Sequence, residues 1–213
     1  MGFTLKVHLA SGLLFLILAQ LLSARAIDQN RLEITVLVYN TARVSMPDLA
    51  LAEQQATMIF RQAGIATVWI NCTDVSLSGA CQSAAPSQFI VHIVARGKTS
   101  NDSVFGMAFL GTDGTGKYCD VFYDRIEKMH RESASPARLL GTVAAHEIGH
   151  LLLGSHSHSA TGLMSPHWRD EELRCISMDR LSFTSEQASR MRARIDDWQR
   201  GGNNLEMART GHE

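Results

Sequence analysis

The feature that most constrains this chain is His146-Glu147-Ile148-Gly149-His150, set inside an apolar run that reads as a buried helix. Ser135-Pro136 opens the run as an N-cap followed by proline at the first helical position. Leu139, Leu140, Val143 and Leu151 to Leu153 make it apolar nearly all round, as expected of an interior helix, and Gly154 ends it. At about 100° per residue, His146 and His150 lie about 40° apart around the helix and about 6 Å apart along it, so both imidazoles can reach one metal ion. Glu147 projects within the same arc, offset from them. Histidine is a weak helix former, and a buried carboxylate is costly unless paired. A bound cation accounts for all three side chains in an apolar helix. The donor set points to zinc, with Glu147 placed to take a proton from water as general base.

A catalytic zinc takes three protein ligands and keeps one position for water. The third ligand must come from chain that turns back under the helix, and Gly154 can make that turn. His156 and His158 follow it, then Gly162-Leu163-Met164. This order resembles the metzincin pattern H-E-x-x-H-x-x-G-x-x-H with its Met-turn, except that the glycine falls one position late. His156 stands at the metzincin distance from His146 but only two residues past Gly154. His158 has more chain in which to reverse.

The run from His146 to Gly154, with His158-Ser159, Gly162-Leu163-Met164 and Trp168, also resembles a group of bacterial zinc metallopeptidases whose third histidine falls where His158 is. The likeness continues at Val121 to Arg125 and at Leu181 to Thr184; it is close around the histidines and loose over Leu32 to Arg194. It implies a metzincin-like α+β fold. A twisted mixed β-sheet and the zinc helix would form the upper half, the Met-turn and a C-terminal helix the lower half, with a cleft between. Met164 would be the apolar floor under the metal. The expected ligands are therefore His146, His150 and His158, with His156 as the alternative third. The expected activity is zinc-dependent endopeptidase cleavage of a peptide or protein substrate.

The rest of the chain is read by pattern. Residues 1–26 combine Lys6, an apolar run from Leu9 to Leu22 and Ala24-Arg25-Ala26, which together read as a secretory signal peptide. That places the protein in the periplasm or medium, without a membrane anchor. One peptidase domain is expected over 27–200 and a disordered tail over 201–213. The whole chain carries a net charge of −1, more negative once Lys6 and Arg25 are removed, so nothing argues for a nucleic-acid partner, and a monomer is expected. Four cysteines in an exported chain suggest disulfides. Closing the short Cys72–Cys81 loop is the simplest pairing, and Cys119 would then join Cys175.

Strands are expected over Leu32–Tyr39, Ala66–Asn71, Phe89–Ala95 and Tyr118–Tyr123, with a short one within Val104–Leu110. A helix with apolar positions from Leu49 to Ala63 separates the first two strands, which predicts a parallel pair. Thr184 and Gln187 form a capping box for a last helix reaching about Gln199. His92 is expected to be a packed strand histidine, and Trp168 chiefly a structural residue. Two other functions fit part of the pattern. One is an exported zinc-binding module without catalysis, which leaves Glu147 unexplained. The other is a gluzincin with Glu171 or Glu172 as third ligand, against which Gly162 and Pro166 interrupt the helix it needs.

Overall fold

The computed structural model describes residues 31–72, 79, 81, 85–97, 103–129 and 135–210, with the side chains of 202–210 excepted. The expected signal peptide, the start of the mature chain, His130 and His212 lie outside the described residues.

Five strands form one sheet in the order β2-β1-β3-β5-β4. They are β1 (Glu33–Asn40), β2 (Ala66–Asn71), β3 (Gln88–Val94), β4 (Gly106–Phe109) and β5 (Tyr118–Phe122). β1 pairs in parallel with β2 and β3, and β3 with β5; β4 runs antiparallel along β5 and forms an edge. The register aligns one buried row across the sheet: Val36 with Phe89, Val38 with Val91 and on to Cys119, and Ile93 with Val121. These six apolar side chains and Cys119 are at most 2 % exposed, and burial of each large one contributes roughly 1.5–3 kcal/mol.

Helix α1 (Met46–Gln62) connects β1 to β2, as the apolar spacing predicts. Its Ser45 hydroxyl accepts from the Asp48 amide, and Trp69 on β2 donates its indole N–H to Thr57. The central helix α3 (Pro136–Leu153) packs against α1 and against β3, β4 and β5. Gly141 makes the α1 contact possible, because a Cβ there would sit 2.1 Å from the Ala52 carbonyl oxygen. Before α3 comes the short helix α2 (Tyr123–Met129), for which the sequence reading named no element. Tyr123, expected to end β5, begins it.

Past α3, a stretch expected to be irregular contains one more helix, α4 (Asp170–Ser177). Its eight residues bury only Leu173 and Ile176, too few to stand out as a period. Helix α5 (Ser185–Thr210) opens with the expected box: Thr184 N–H donates to Gln187 Oε1 (2.9 Å) and Gln187 N–H to Thr184 Oγ1 (3.2 Å). It does not stop near Gln199. The helix continues through Gly201 to Thr210, so the tail expected over 201–213 begins inside it. Two adjacent glycines cost about 1 kcal/mol each in a helix, and good formers such as Leu205, Glu206, Met207 and Ala208 follow them.

Cys72 and Cys81 form the expected disulfide. The second expected pairing is wrong: Cys119 and Cys175 are both free. Cys119 points into the core beneath α3, its Sγ 3.6 Å from the Ile90 carbonyl, whereas Cys175 rides on α4, which packs against α3. An even cysteine count carries no information about such directions. Among the described residues, no helix is long and apolar enough to cross a membrane.

Candidate metal centre and cleft

The last two turns of α3 carry His146, Glu147 and His150. The chain then reverses through Gly154 at φ +82° and His156 at φ +58°, and brings His158 back beneath the helix. One nitrogen from each of His146, His150 and His158 lies within 4.8 Å of the other two, a group able to hold a metal ion. The ring centroids are 4.8 Å apart for His146 and His150, 5.6 Å for His146 and His158, and 4.7 Å for His150 and His158.

The hydrogen bonds behind the rings test whether these donors suit a cation. His146 Nδ1 is 2.7 Å from the Leu163 carbonyl oxygen. A carbonyl only accepts, so Nδ1 carries the proton and Nε2 presents its lone pair to the cluster. His150 Nδ1 is 2.7 Å from Ser157 Oγ, a group that can accept in the same way. Burial pushes His146 down to about 4. Burial, then repulsion from the other two imidazoles, pushes His150 down to about 3. His158 is lowered by burial and by the neighbouring His167. Neutral imidazoles are the form that binds a metal, so the donor set fits zinc.

Glu147 is 6 % exposed and lies against the edge strand. The Ala108 amide donates to its carboxylate, and a Cβ on Gly106 would fall 2.6 Å from its Cγ. Burial pushes its carboxyl up to about 8. A nearby divalent cation acts in the opposite direction, favouring the ionised form. Met164, next in the chain to Leu163, whose carbonyl meets His146, is fully buried, and Gly149 is the residue that admits it: a Cβ there would meet Met164 Sδ at 2.7 Å and the Phe183 ring at 2.8 Å. An open cavity of about 670 Å³ borders all of this, reaching from Phe105, Gly106 and Ala108 across Glu147 and the three histidines to Pro166 and Trp168.

The Matrixin (peptidase M10) family model matches residues 92–183, which run from β3 to just before α5 and contain the cluster, Glu147 and Met164. Over those residues the chain is similar to the matrixin peptidases, and the three-histidine cluster lies inside the match. Solved structures that it resembles include archaemetzincin from Methanopyrus kandleri, at 11 % identity and a TM-score of 0.47, covering 78 % of this chain and 96 % of that one. Metalloproteinase-II from Bacteroides fragilis matches at 14 % identity and a TM-score of 0.45, over 77 % of this chain and 53 % of that one. A comparison with curated proteins finds no match.

His156 is exposed and stands outside the cluster, although its distance from His146 follows the metzincin pattern. His158 comes two residues later than that pattern places its third histidine, past the left-handed turn at His156. Glu171 and Glu172 are also outside it; Glu172 Oε2 accepts from the Arg169 amide (2.8 Å) and caps α4 instead. His92 bonds Tyr118 (2.8 Å), Asp120 (3.2 Å) and Thr41 (2.8 Å), away from the metal group. His167, for which no spacing argued, lines the cavity. Trp168 donates Nε1–H to the Leu163 carbonyl (3.2 Å) and is also a cleft wall, edge-on to His146 at 5.6 Å. Gly106 and Ala108 were missed because their role depends on where the edge strand crosses α3. A lone glycine in a short apolar stretch gave the only hint.

Proposed function

We propose that this protein is an exported endopeptidase in which His146, His150 and His158 hold zinc, Glu147 is the general base and Met164 is the floor of the metal site. The observation that carries the reading is the convergence of three imidazole nitrogens within 4.8 Å beside a buried carboxylate, in a cavity of about 670 Å³. Bound zinc would polarise a scissile carbonyl and make water nucleophilic at neutral pH. Glu147, adjacent to His146 in the chain, accepts the proton from the attacking water at a carboxylate oxygen and returns it to the leaving amine. The Ala108 amide and the absence of a Cβ at Gly106 hold that carboxylate against the strand. Strand β4 is the sheet edge and its residues line the cavity, so an extended peptide can lie along it and be positioned by backbone hydrogen bonds. Apolar lining from Phe105, Met107, Leu110 and Trp168 suits an uncharged side chain in the cleft.

Export is supported by the signal-peptide pattern of residues 1–26 and by the Cys72–Cys81 disulfide, a bond that persists in oxidising compartments. The test is to purify the protein, load it with zinc and profile it on a mixed peptide library with and without a chelator. The reading expects internal cleavage that stops with the chelator and returns with zinc. Cleavage that ignores the chelator, or stoichiometric zinc with no cleavage of any peptide, would contradict it.

A further inference from the structure

Gln187 sits at the start of α5, and its sequence role is that of a helix cap. Its side chain does more. The amide is 7 % exposed, and Oε1 is occupied by the Thr184 amide N–H at 2.9 Å. That contact fixes the amide orientation, since the opposite flip would set two donors against each other. Nε2 then points at the ligand loop, where it donates to the Ser157 carbonyl (3.3 Å) and to Ser159 Oγ (3.1 Å). Those two residues flank His158. Ser157 is itself only 4 % exposed, and its hydroxyl holds His150 Nδ1 at 2.7 Å. Ser159 is tied on its other side, its amide donating to the Met164 carbonyl at 3.0 Å.

We propose that Gln187 is a positioning residue for the metal site: a single buried amide that clamps the Ser157–Ser159 stretch and so sets His158 directly and His150 through Ser157. The inference rests on the zinc reading above. His158 is an exposed ligand on a loop with no helix period to place it, so its position must be supplied by partners outside the loop. Gln187 has both of its amide donors spent on that loop. The cap and the clamp use different atoms of one side chain, and this makes them separable.

Gln187→Glu keeps a carboxylate oxygen for the Thr184 amide, the usual capping-box arrangement, but has no N–H to give Ser157 or Ser159. It also brings a negative charge nearer the cation, which by simple attraction would tighten binding. Thr184→Ala is the converse, removing the hydroxyl that caps the Gln187 amide and leaving the clamp. Zinc affinity of the purified protein is measured by competition with a chelator, and the cobalt-substituted protein gives a visible spectrum that reports ligand geometry. Thermal unfolding of the chelated protein reports the cap. Gln187→Glu is expected to weaken zinc by roughly 10- to 100-fold and to change the cobalt spectrum. Thr184→Ala is expected to lower the unfolding temperature and leave zinc affinity and spectrum as they were. Ser159→Ala, which removes one of the two acceptors, is expected to weaken zinc by a smaller factor, and it decides the matter if Gln187→Glu does not fold. Wild-type zinc affinity in Gln187→Glu or, failing that, in Ser159→Ala would overturn the clamp alone. So would a Thr184→Ala protein that loses zinc as strongly as Gln187→Glu. A wild-type protein that takes up no zinc would overturn the metal reading and the clamp with it.

Discussion

The two halves of the proposed metal site are built by different means. On α3, His146, Glu147 and His150 are placed by the helix itself: their spacing sets the angle between them, and the core on every side holds the helix still. Its last carbonyls are capped from α5, Leu152 by Arg194 (2.9 Å) and Leu153 by Arg190 (3.2 Å), each at the negative end of the helix dipole. In the loop half, His158 is exposed and lies on irregular chain, reached through two left-handed residues, and its neighbours Ser157 and Ser159 are tied by Gln187 and the Met164 carbonyl. A ligand on a helix is fixed by local geometry, whereas a ligand on a loop is fixed by whatever packs against the loop. Substitutions in the first half should therefore act on chemistry with the metal in place, and those in the second on the metal itself.

The largest effect is expected from Glu147→Gln, which is nearly isosteric but cannot accept a proton. Turnover on a cleaved peptide should fall by roughly 10²–10⁴-fold while the zinc content stays at one per chain. Wild-type turnover would remove Glu147 from the mechanism. His158→Ala sharpens the contrast, because it should cost the metal: zinc measured after gel filtration should drop well below one per chain. A protein that keeps full zinc without His158 would show that the loop half is not part of the site. Gly106→Val probes the helix half from outside. Its new side chain must push the Glu147 carboxylate, and misplacement by about 1 Å can cost on the order of 100-fold in rate, with zinc again retained. Equal loss of zinc and rate would mean that the strand supports the whole site and not the carboxylate. Far from both halves, replacing Cys72 and Cys81 by serine should lower stability by about 2–4 kcal/mol in denaturant unfolding without changing zinc stoichiometry. The smallest effect belongs to His156→Ala, an exposed position outside the cluster, where zinc affinity should stay within about twofold.

The same division governs how much could be read from the sequence. The α3 helix, its Ser135 cap, the β1-α1-β2 parallel unit and the Thr184–Gln187 box are all local patterns, and each is present. Helices α2 and α4 escaped because seven or eight residues with two buried positions make no recognisable period. The choice between His156 and His158 depends on how the chain turns after Gly154, and the metzincin spacing alone favours the histidine that the structure leaves outside the cluster. The role of Gly106 requires knowing that an edge strand crosses Glu147, a contact between residues 41 positions apart in the chain. The Cys119–Cys175 pairing failed for a related reason: directions of side chains on distant elements are set by packing and not by count.

X-ray absorption at the zinc edge of the loaded protein separates an open zinc site with three histidine ligands from a closed one. The expected result is three imidazole nitrogens at about 2.0–2.1 Å with the remaining coordination from water oxygen, a spectrum unchanged in His156→Ala and lost in His158→Ala. A fourth protein ligand closing the site, or a sulfur at about 2.3 Å, would contradict it.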